Sequence, residues 1–255
     1  MMSNIGKDEL FRELSQTSIE DLSSKVDNLQ SYLDKIYKCV MNSNIVKDTK
    51  SIKDLPQHNL TKKALSQKFV DFNLDLFRED IVDQFGDDYI NSKYCMERNL
   101  LDSEDFIINI DNENTYNLLF YGDTGTGKTY MANCICNCIV EQGLIVRSYS
   151  IIELLDFINE ALMIDRENNL AEYKMLTECD LLLIDDLGTE SITSFTNNRL
   201  FSILNARILN CKKTMLCTNL GVHDMAKLYS NRIFSRIIES YKINKFIGED
   251  LRWKI

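Results

Sequence analysis

The sequence has few of the residues that mark metal-binding and disulfide-linked proteins. Its 255 residues include only two histidines, His58 and His223, and its eight cysteines contain no C-x-x-C pair. We therefore expect neither a histidine-based metal cluster nor a zinc site. Three of the cysteines crowd one apolar segment, at positions 134, 136 and 138, which is typical of small buried thiols in a reducing compartment.

Long apolar runs and a secretory signal are also missing. No stretch of about 18 consecutive apolar residues occurs, so no membrane-spanning helix is expected. The N-terminal residues MMSNIGKDELFREL are polar and acidic, unlike a secretory signal. These two features predict a cytoplasmic protein that does not contact a membrane.

Positive charge is scarce in the chain as a whole but not at its C-terminal end. The net charge of −10 argues against a general nucleic-acid coat, because neutralising phosphates requires clustered Lys and Arg. Residues 227–255 nevertheless hold seven basic and three acidic residues, a local charge of +4. Such a run is typical of a solvated surface, and a surface that meets phosphates is the alternative.

Residues 1–50 are predicted to form a helical region that binds a partner. The residues TSIE, Thr17 to Glu20, indicate a capping box at the start of a helix. The apolar positions that follow alternate at steps of three and four, as in a heptad seam: Ile19, Leu22, Val26, Leu29, Leu33, Ile36 and Val40. A seam this narrow must pack on another helix, which belongs to a partner, to a second copy or to the same chain.

The remainder of the chain is predicted to be a linker and one α/β domain. Residues 51–67 are polar, contain the single proline, Pro56, and indicate the linker. In residues 68–255, strands are expected at 116–121, 144–149, 181–185, 214–218 and 242–247, and helices mainly at 128–141, 151–163, 197–210 and 232–241. Short apolar strands that alternate with helices predict a mostly parallel sheet covered on both faces.

The residues GDTGTGKT match the phosphate-binding pattern G-x-x-x-x-G-K-[ST]. The matching positions are Gly122, Asp123, Thr124, Gly125, Thr126, Gly127, Lys128 and Thr129. Glycines at this spacing let backbone N–H groups surround anionic oxygens, and the following helix adds its positive end. We expect Lys128, on a solvent-facing loop, to reach the β- and γ-phosphates of ATP, and the Thr129 hydroxyl to hold Mg²⁺. The additional Gly125 and the flanking strand and helix favour this site over a plain turn.

Polar residues also end the predicted strands at 181–185 and 214–218. Asp185 and Asp186 follow LLLI, and two carboxylates at that place are costly to bury without a cation. We expect Asp185 to bind Mg²⁺ and Asp186 to polarise the attacking water, a solvated turn being the alternative. In TMLCTNL, Thr218 and Asn219 stand at the end of the strand and are placed to contact a γ-phosphate or its water.

The residues NRIFSRI place Arg232 and Arg236 one helical turn apart on one face. A planar guanidinium suits the charge that develops on a transferring phosphoryl group. A surface ion pair with Glu239 or Asp224 is the alternative for this arginine pair.

The order of these motifs, closed by IGEDLRW, resembles the AAA+ ATPases of the DnaC/DnaI type, the helicase loaders of bacteria and phages. The resemblance covers residues 68–255 and implies a five-stranded parallel sheet in the order 5-1-4-3-2. It implies ATP hydrolysis with Mg²⁺, in which Asp186 and Asn219 are catalytic and Arg236, supported by Arg232, acts on the neighbouring subunit's nucleotide. We expect no C-terminal helical lid, and hence a nucleotide-dependent switch rather than a motor.

The resemblance also implies partners: a hexameric replicative DNA helicase held by the N-terminal region, single-stranded DNA, and further copies of the chain bound through the ATP interface. Some loaders carry a zinc-binding N-terminal domain, and nothing in this chain resembles it.

Three other functions remain as alternatives. The closest is an IstB-like AAA+ transposition helper, which typically has Asp-Glu where this chain has Asp185 and Asp186. A small-molecule P-loop kinase would need a lid and an acceptor pocket, for which the sequence offers no clear candidate. An adaptor that binds a nucleotide without hydrolysing it is disfavoured by the intact Asp185, Asp186 and Asn219.

Overall fold

The computed structural model describes residues 58–85, 88–164 and 169–253. The predicted helical region of residues 1–50, with its heptad seam, lies outside these ranges. The strands within them are β1 (Val82–Phe85), β2 (Asp88–Asn91), β3 (Asn117–Gly122), β4 (Val146–Ser150), β5 (Leu181–Leu187), β6 (Lys213–Thr218) and β7 (Tyr241–Phe246). The helices are α1 (Lys62–Ser66), α2 (Ser92–Ile108), α3 (Lys128–Glu141), α4 (Ile151–Ile164), α5 (Asn169–Glu178), α6 (Ser194–Leu209), α7 (Val222–Leu228) and α8 (Asn231–Ser240). No helix among the described residues is both long enough and apolar enough to cross a membrane.

Five of the strands form one parallel sheet, whereas β1 and β2 form a separate antiparallel hairpin. The order across the sheet is β4-β5-β6-β3-β7. When these five strands are numbered along the chain from β3, the order read from the β7 edge is 5-1-4-3-2. The predicted fold class and strand order are therefore confirmed. The order also places β6 between β3 and β5, so the carboxyl ends of these three strands are neighbours.

Helices cover both faces of the sheet because its strands carry apolar side chains on both faces. In β3, Leu118 and Phe120 join a core cluster with α2 and α3, whereas Leu119 joins a second cluster with α4, α6 and α8. All three side chains are at most 1% exposed. Burying a side chain of this size stabilises the fold by about 1.5–3 kcal/mol, so this central strand holds the two helical layers together.

Several elements differ from those expected. α3 spans the predicted residues, but α6 begins at Ser194 instead of 197 because the side chains of Thr193 and Thr196 form a capping box. The β1–β2 hairpin and the helices α2 and α7 were not expected from the sequence.

Part of the predicted linker packs on the domain. Within residues 58–67, helix α1 buries Ala64 against the core that contains α3. The Asn137 side-chain amide, on α3, donates hydrogen bonds to the carbonyl oxygens of Ala64 (2.9 Å) and Gln67 (2.6 Å). These bonds give partners to two carbonyls at the end of a short helix. Residues 58–67 thus lie on the α/β domain, ahead of the boundary that the sequence predicts at residue 68.

Candidate nucleotide-binding site

The phosphate-binding loop, Gly122–Thr129, joins the end of β3 to the start of α3. Gly127 is the N-cap of α3 and has a φ of 98°, in the left-handed region that favours glycine. It offers no side chain to cap the helix, so the first N–H groups of α3 have no side-chain partner at the cap. Free N–H groups at the positive end of a 14-residue helix fit an anionic ligand such as phosphate.

Lys128 lies inside this loop. Its ammonium donates to the carbonyl oxygens of Gly122 (2.8 Å) and Asp123 (2.7 Å), and the residue is only 7% exposed. The expectation that Lys128 lies on a solvent-facing loop was therefore wrong, because the loop closes around its own lysine. Burial lowers the pKa of Lys128, and the nearby Asp185 carboxylate opposes that shift. An ammonium has three N–H donors, so one remains for a phosphate oxygen.

Asp185 ends the buried part of β5 and meets the loop through Thr129. Its carboxylate accepts a hydrogen bond from the backbone N–H of Asp186 (2.9 Å). Burial raises the pKa of Asp185, whereas the bond from Asp186 and the nearby Thr129 side chain act in the opposite direction. A hydroxyl and a carboxylate near each other provide the hard oxygen ligands that Mg²⁺ prefers, so the pair fits this ion.

Asp186 has an unusual backbone conformation. Its φ is 54°, which is uncommon for a residue other than glycine, and its side chain is exposed. The carbonyl of Asp186 accepts hydrogen bonds from the hydroxyl (2.8 Å) and the backbone N–H (3.2 Å) of Thr189, which close a turn behind it. The register between β5 and β6 is irregular at this point. Backbone strain of this kind is concentrated at functional sites, and here it turns a carboxylate outward beside Asp185.

The two polar residues at the end of β6 have different surroundings. Thr218 is 1% exposed, and its hydroxyl donates to the Leu187 carbonyl (2.6 Å) and accepts from the Leu220 N–H (3.0 Å). This hydroxyl therefore joins the ends of β5 and β6, and the predicted phosphate contact by Thr218 was wrong. Asn219 is exposed, at the carboxyl end of the strand between β3 and β5. The sheet thus brings Asn219 to the same edge as the phosphate-binding loop and the two aspartates.

Arg232 and Arg236 lie on the outer side of α8, whose inner residues Ile233 and Ile237 are fully buried. Arg236 forms an ion pair with Glu239 at 3.4 Å, and 39% of the Arg236 side chain is exposed. This is the surface ion pair that the sequence analysis gave as the alternative role of the arginine. Such surface pairs contribute about 0–1 kcal/mol, so the guanidinium can exchange this partner. Arg232 lines a cavity of about 510 Å³ together with residues of the loop before α6 and of α6. In the structure, α8 presents both arginines outward.

The residues after β7 contact the phosphate-binding loop, which the sequence did not reveal. The Leu251 N–H donates to the Gly125 carbonyl at 3.0 Å. Gly125 has a φ of 81°, and a Cβ there would lie 2.9 Å from the Cα of Asp250 and 2.1 Å from its carboxylate Oδ1. Glycine is therefore required at this position by the tail as well as by the turn. A contact between residues 125 positions apart has no local sequence signal.

Aromatic residues before β1 form a second group that sequence reasoning missed. Phe72 and Phe77 stack with ring centroids 5.8 Å apart, and the Phe72 ring lies 6.0 Å from that of Tyr130 on α3. The Phe77 Cζ atom would be 3.7 Å from a Cβ placed on Gly127. The segment KFVDFNLDLF thus carries an aromatic cluster to the start of α3.

The sheet order, the glycine-rich loop before α3 and the acidic end of β5 define an ATP-binding P-loop domain of the AAA+ type. The chain belongs to the family of IstB-like ATP binding proteins, whose family model matches residues 88–243. That range includes the phosphate-binding loop, Asp185, Asp186, Asn219 and the arginines of α8. It confirms the resemblance drawn from the motifs and supports the binding of ATP.

The chain is also similar to named helicase loaders. The replicative helicase loader DnaC of Escherichia coli (strain K12) is 28% identical over 127 residues, which are 49% of this chain and 51% of the relative. The chain thus spans about half the length of this relative. The replicative helicase loader DnaC of Buchnera aphidicola subsp. Acyrthosiphon pisum (strain APS) is 21% identical over 234 residues, 90% of this chain and 88% of the relative.

Solved structures bear out the fold. The crystal structure of DnaI matches with a TM-score of 0.60 and 18% identity, over 74% of this chain and 95% of that one. At this identity the likeness shows the fold alone.

Proposed function

We propose that the protein is an ATPase that loads a hexameric replicative DNA helicase onto single-stranded DNA during the initiation or restart of replication. The observation that carries the proposal is the meeting of four groups at one edge of the sheet: the phosphate-binding loop after β3, Asn219 after β6, and Asp185 and Asp186 on β5. Polar groups that converge at the carboxyl ends of parallel strands form a ligand site in open α/β sheets.

Each of these groups has a role that its surroundings support. Lys128 and the N–H groups of the loop bind the phosphates of ATP, and Thr129 with Asp185 holds Mg²⁺. The ion, when bound, neutralises charge on the phosphate oxygens. Asp186, exposed beside Asp185, orients the attacking water, and Asn219 contacts that water or the γ-phosphate.

The arginines complete the site from a neighbouring copy. Arg236, supported by Arg232, stabilises the charge that develops on the nucleotide of the next subunit. The outward position of both side chains on α8 supports this assignment, as does the weak, exposed ion pair of Arg236 with Glu239. Self-association through the ATP interface follows from this role.

The partners are proposed from relatives and from the sequence pattern. The relatives that match this chain are named replicative helicase loaders, which supports a helicase as the partner. The helical region of residues 1–50 would hold it, and the α/β domain would contact single-stranded DNA. The seven described cysteines are all free, which supports a reducing, cytoplasmic location.

A direct test mixes the purified protein with the hexameric replicative helicase of its host, Mg²⁺ and ATP. We expect a stable complex on size exclusion and nucleotide-dependent transfer of the helicase to a closed single-stranded DNA circle. The Lys128→Ala variant provides the control without nucleotide binding. An active ATPase that neither captures nor transfers the helicase would refute the loader function.

The second candidate is an IstB-like transposition helper, which the name of the family favours. Asp186 counts against it, since such helpers typically have Glu at this position. The two functions differ in their partner, so replacing the helicase with a cognate transposase in the same assay decides between them.

A further inference from the structure

One hydrogen bond connects the loop behind β5 to the segment that starts α8, and a second holds its acceptor, Glu190, within that loop. The Glu190 carboxylate accepts from the Gly188 N–H through Oε2 (2.8 Å) and from the Tyr229 hydroxyl through Oε1 (2.6 Å). Tyr229 is 4% exposed and Glu190 is half-buried. Burial, followed by the bond to Glu190, raises the pKa of Tyr229 far above its ordinary value, so the hydroxyl remains a donor at neutral pH. We call this pair of bonds the Glu190–Tyr229 bridge.

The Glu190 end of the bridge lies close in sequence to Asp186, the residue proposed to orient the attacking water. Gly188 lies two residues after Asp186 and has a φ of 100°. A Cβ at Gly188 would lie 2.4 Å from Leu220, which shows how closely this loop is packed on the end of β6. The Thr189 bonds to the Asp186 carbonyl fix the turn in between. The loop at residues 186–190 is therefore a rigid attachment point.

The other end of the bridge sets where α8 begins. Tyr229 is the C-cap of α7, and the next residue, Ser230, is the N-cap of α8. Arg232 and Arg236 follow within the first two turns of this helix. A further bond, from the Ser230 N–H to the Asn197 side chain, is long at 3.4 Å. The Glu190–Tyr229 bridge is thus the short polar link at the start of the arginine helix.

We propose that Glu190 and Tyr229 are positioning residues for the ATPase reaction: they anchor α8 to the loop behind Asp186 and so place Arg236 for the nucleotide of the neighbouring subunit. The inference rests on the proposed function, because it requires that Arg236 act between subunits. A misplacement of about 1 Å can lower a rate by about 10²-fold, so removing one bond of the bridge has a measurable effect on turnover.

The test uses mixed assemblies in which each subunit type supplies one half of a site. A Lys128→Ala subunit cannot bind ATP but supplies Arg236, whereas an Arg236→Ala subunit binds ATP but supplies no arginine. In a mixture of the two, the active sites are those in which Arg236 of a Lys128→Ala subunit meets the nucleotide bound by an Arg236→Ala subunit. Tyr229→Phe, which removes only the hydroxyl, is then introduced into either subunit type.

We expect mixed-site turnover to fall about tenfold when Tyr229→Phe is in the arginine-supplying subunit, with the KM for ATP unchanged. The same substitution in the nucleotide-binding subunit should change turnover less than about twofold. Tyr173→Phe in the arginine-supplying subunit is the matched control: the Tyr173 hydroxyl, on α5, forms a hydrogen bond with the Ser202 side chain of α6 at 2.9 Å, and neither residue belongs to α8 or to the loop behind β5. This control should leave mixed-site turnover unchanged.

Other outcomes overturn the inference. An equal loss of turnover with Tyr229→Phe in either subunit type would indicate that the bridge serves general packing. A loss only with the substitution in the nucleotide-binding subunit would indicate that the bridge positions Asp186. If Tyr229→Phe lowers the melting temperature, Glu190→Gln is used in its place. The amide nitrogen of Gln cannot accept a hydrogen bond, so one of the bonds from Gly188 and Tyr229 is lost. Turnover should again fall only when the substitution is in the arginine-supplying subunit. A parent mixture with no activity would refute the proposed arginine transfer and this inference together, whereas an active parent with no asymmetry would refute only the inference.

Discussion

The Lys128 ammonium lies 2.8 Å from the carbonyl oxygen of Gly122, six residues earlier in the same loop. The lysine that is proposed to bind phosphate therefore also closes the loop that surrounds it. Loss of this side chain should therefore weaken nucleotide binding and also lower the stability of the fold.

Lys128→Ala should abolish ATP binding, measured by calorimetry, and lower the free energy of unfolding by about 1–3 kcal/mol, since it removes two partly buried charged hydrogen bonds to backbone carbonyls. Lys213→Ala is the matched control. Lys213 is 4% exposed and donates to the Thr115 carbonyl at 2.8 Å, at the opposite end of the sheet. It should reduce stability comparably and leave ATP binding intact. Unchanged ATP affinity in Lys128→Ala would contradict the assignment of the loop.

Asp185→Asn should raise the melting temperature at pH 7 in the absence of ATP and Mg²⁺ while abolishing Mg²⁺-dependent hydrolysis. Burial raises the pKa of Asp185 above its value in the unfolded chain, so folding favours the protonated carboxyl. This contribution to stability is therefore lost as the pH rises through the raised pKa, and a neutral amide avoids the loss.

The exposed neighbour provides the control for this change. Asp186→Asn should leave the melting temperature unchanged and lower turnover, because Asn tolerates the left-handed conformation of this position. A lower melting temperature for Asp185→Asn than for wild type would refute the electrostatic argument.

Arg236→Ala should lower ATP turnover by roughly 10³-fold while ATP affinity is kept, because arginines that act between subunits contribute on this scale. Adding Lys128→Ala subunits should restore part of the activity. Lys227→Ala removes a comparable exposed pair with Asp224, also at 3.4 Å, and should have no effect. Wild-type turnover in Arg236→Ala would exclude the proposed role.

Leu29→Asp combined with Leu33→Asp should abolish helicase binding and leave ATP hydrolysis near normal. Both residues lie in the predicted seam of residues 19–40, where burying each against a partner would contribute about 1.5–3 kcal/mol. Ser24→Asp with Ser31→Asp places the same charges outside the seam and should keep binding. Pull-down and thermal melting are measured on both variants. A lowered melting temperature without a binding defect would instead indicate that the seam packs within the chain.

The sequence predicted those parts of the fold in which the apolar pattern is strong. Three strands of the sheet have an unbroken apolar run beside a polar or glycine residue: LLFY in β3, LLLI in β5 and MLC in β6. Helix α2 was not predicted because its buried side includes Asn99, Asp102 and Ser103. The Asp102 carboxylate accepts from Asn244 (2.7 Å) and pairs with Lys242 (2.6 Å), both on β7. These buried polar side chains interrupt the apolar period of α2, which weakens the helical signal in the sequence.

The sequence predicted those site residues whose chemical type and position at the end of a strand indicate a role, such as Asp185 and Asn219. The burial of Lys128 was not predictable, since lysine is rarely buried and its partners here are backbone carbonyls. The Glu190–Tyr229 bridge was also invisible in the sequence, because it joins two loops that only the folded sheet brings together.

The contact between Gly125 and Asp250 means that the phosphate-binding loop and the tail behind β7 must be exchanged as one unit. In a chimera between this chain and a relative, a loop with any side chain at position 125 would collide with the Asp250 backbone and not merely with a movable side chain. A grafted loop therefore needs the tail of its own parent, although more than a hundred residues separate the two segments. Compatibility of donor and recipient is therefore decided by the tail behind β7 as much as by the motif itself.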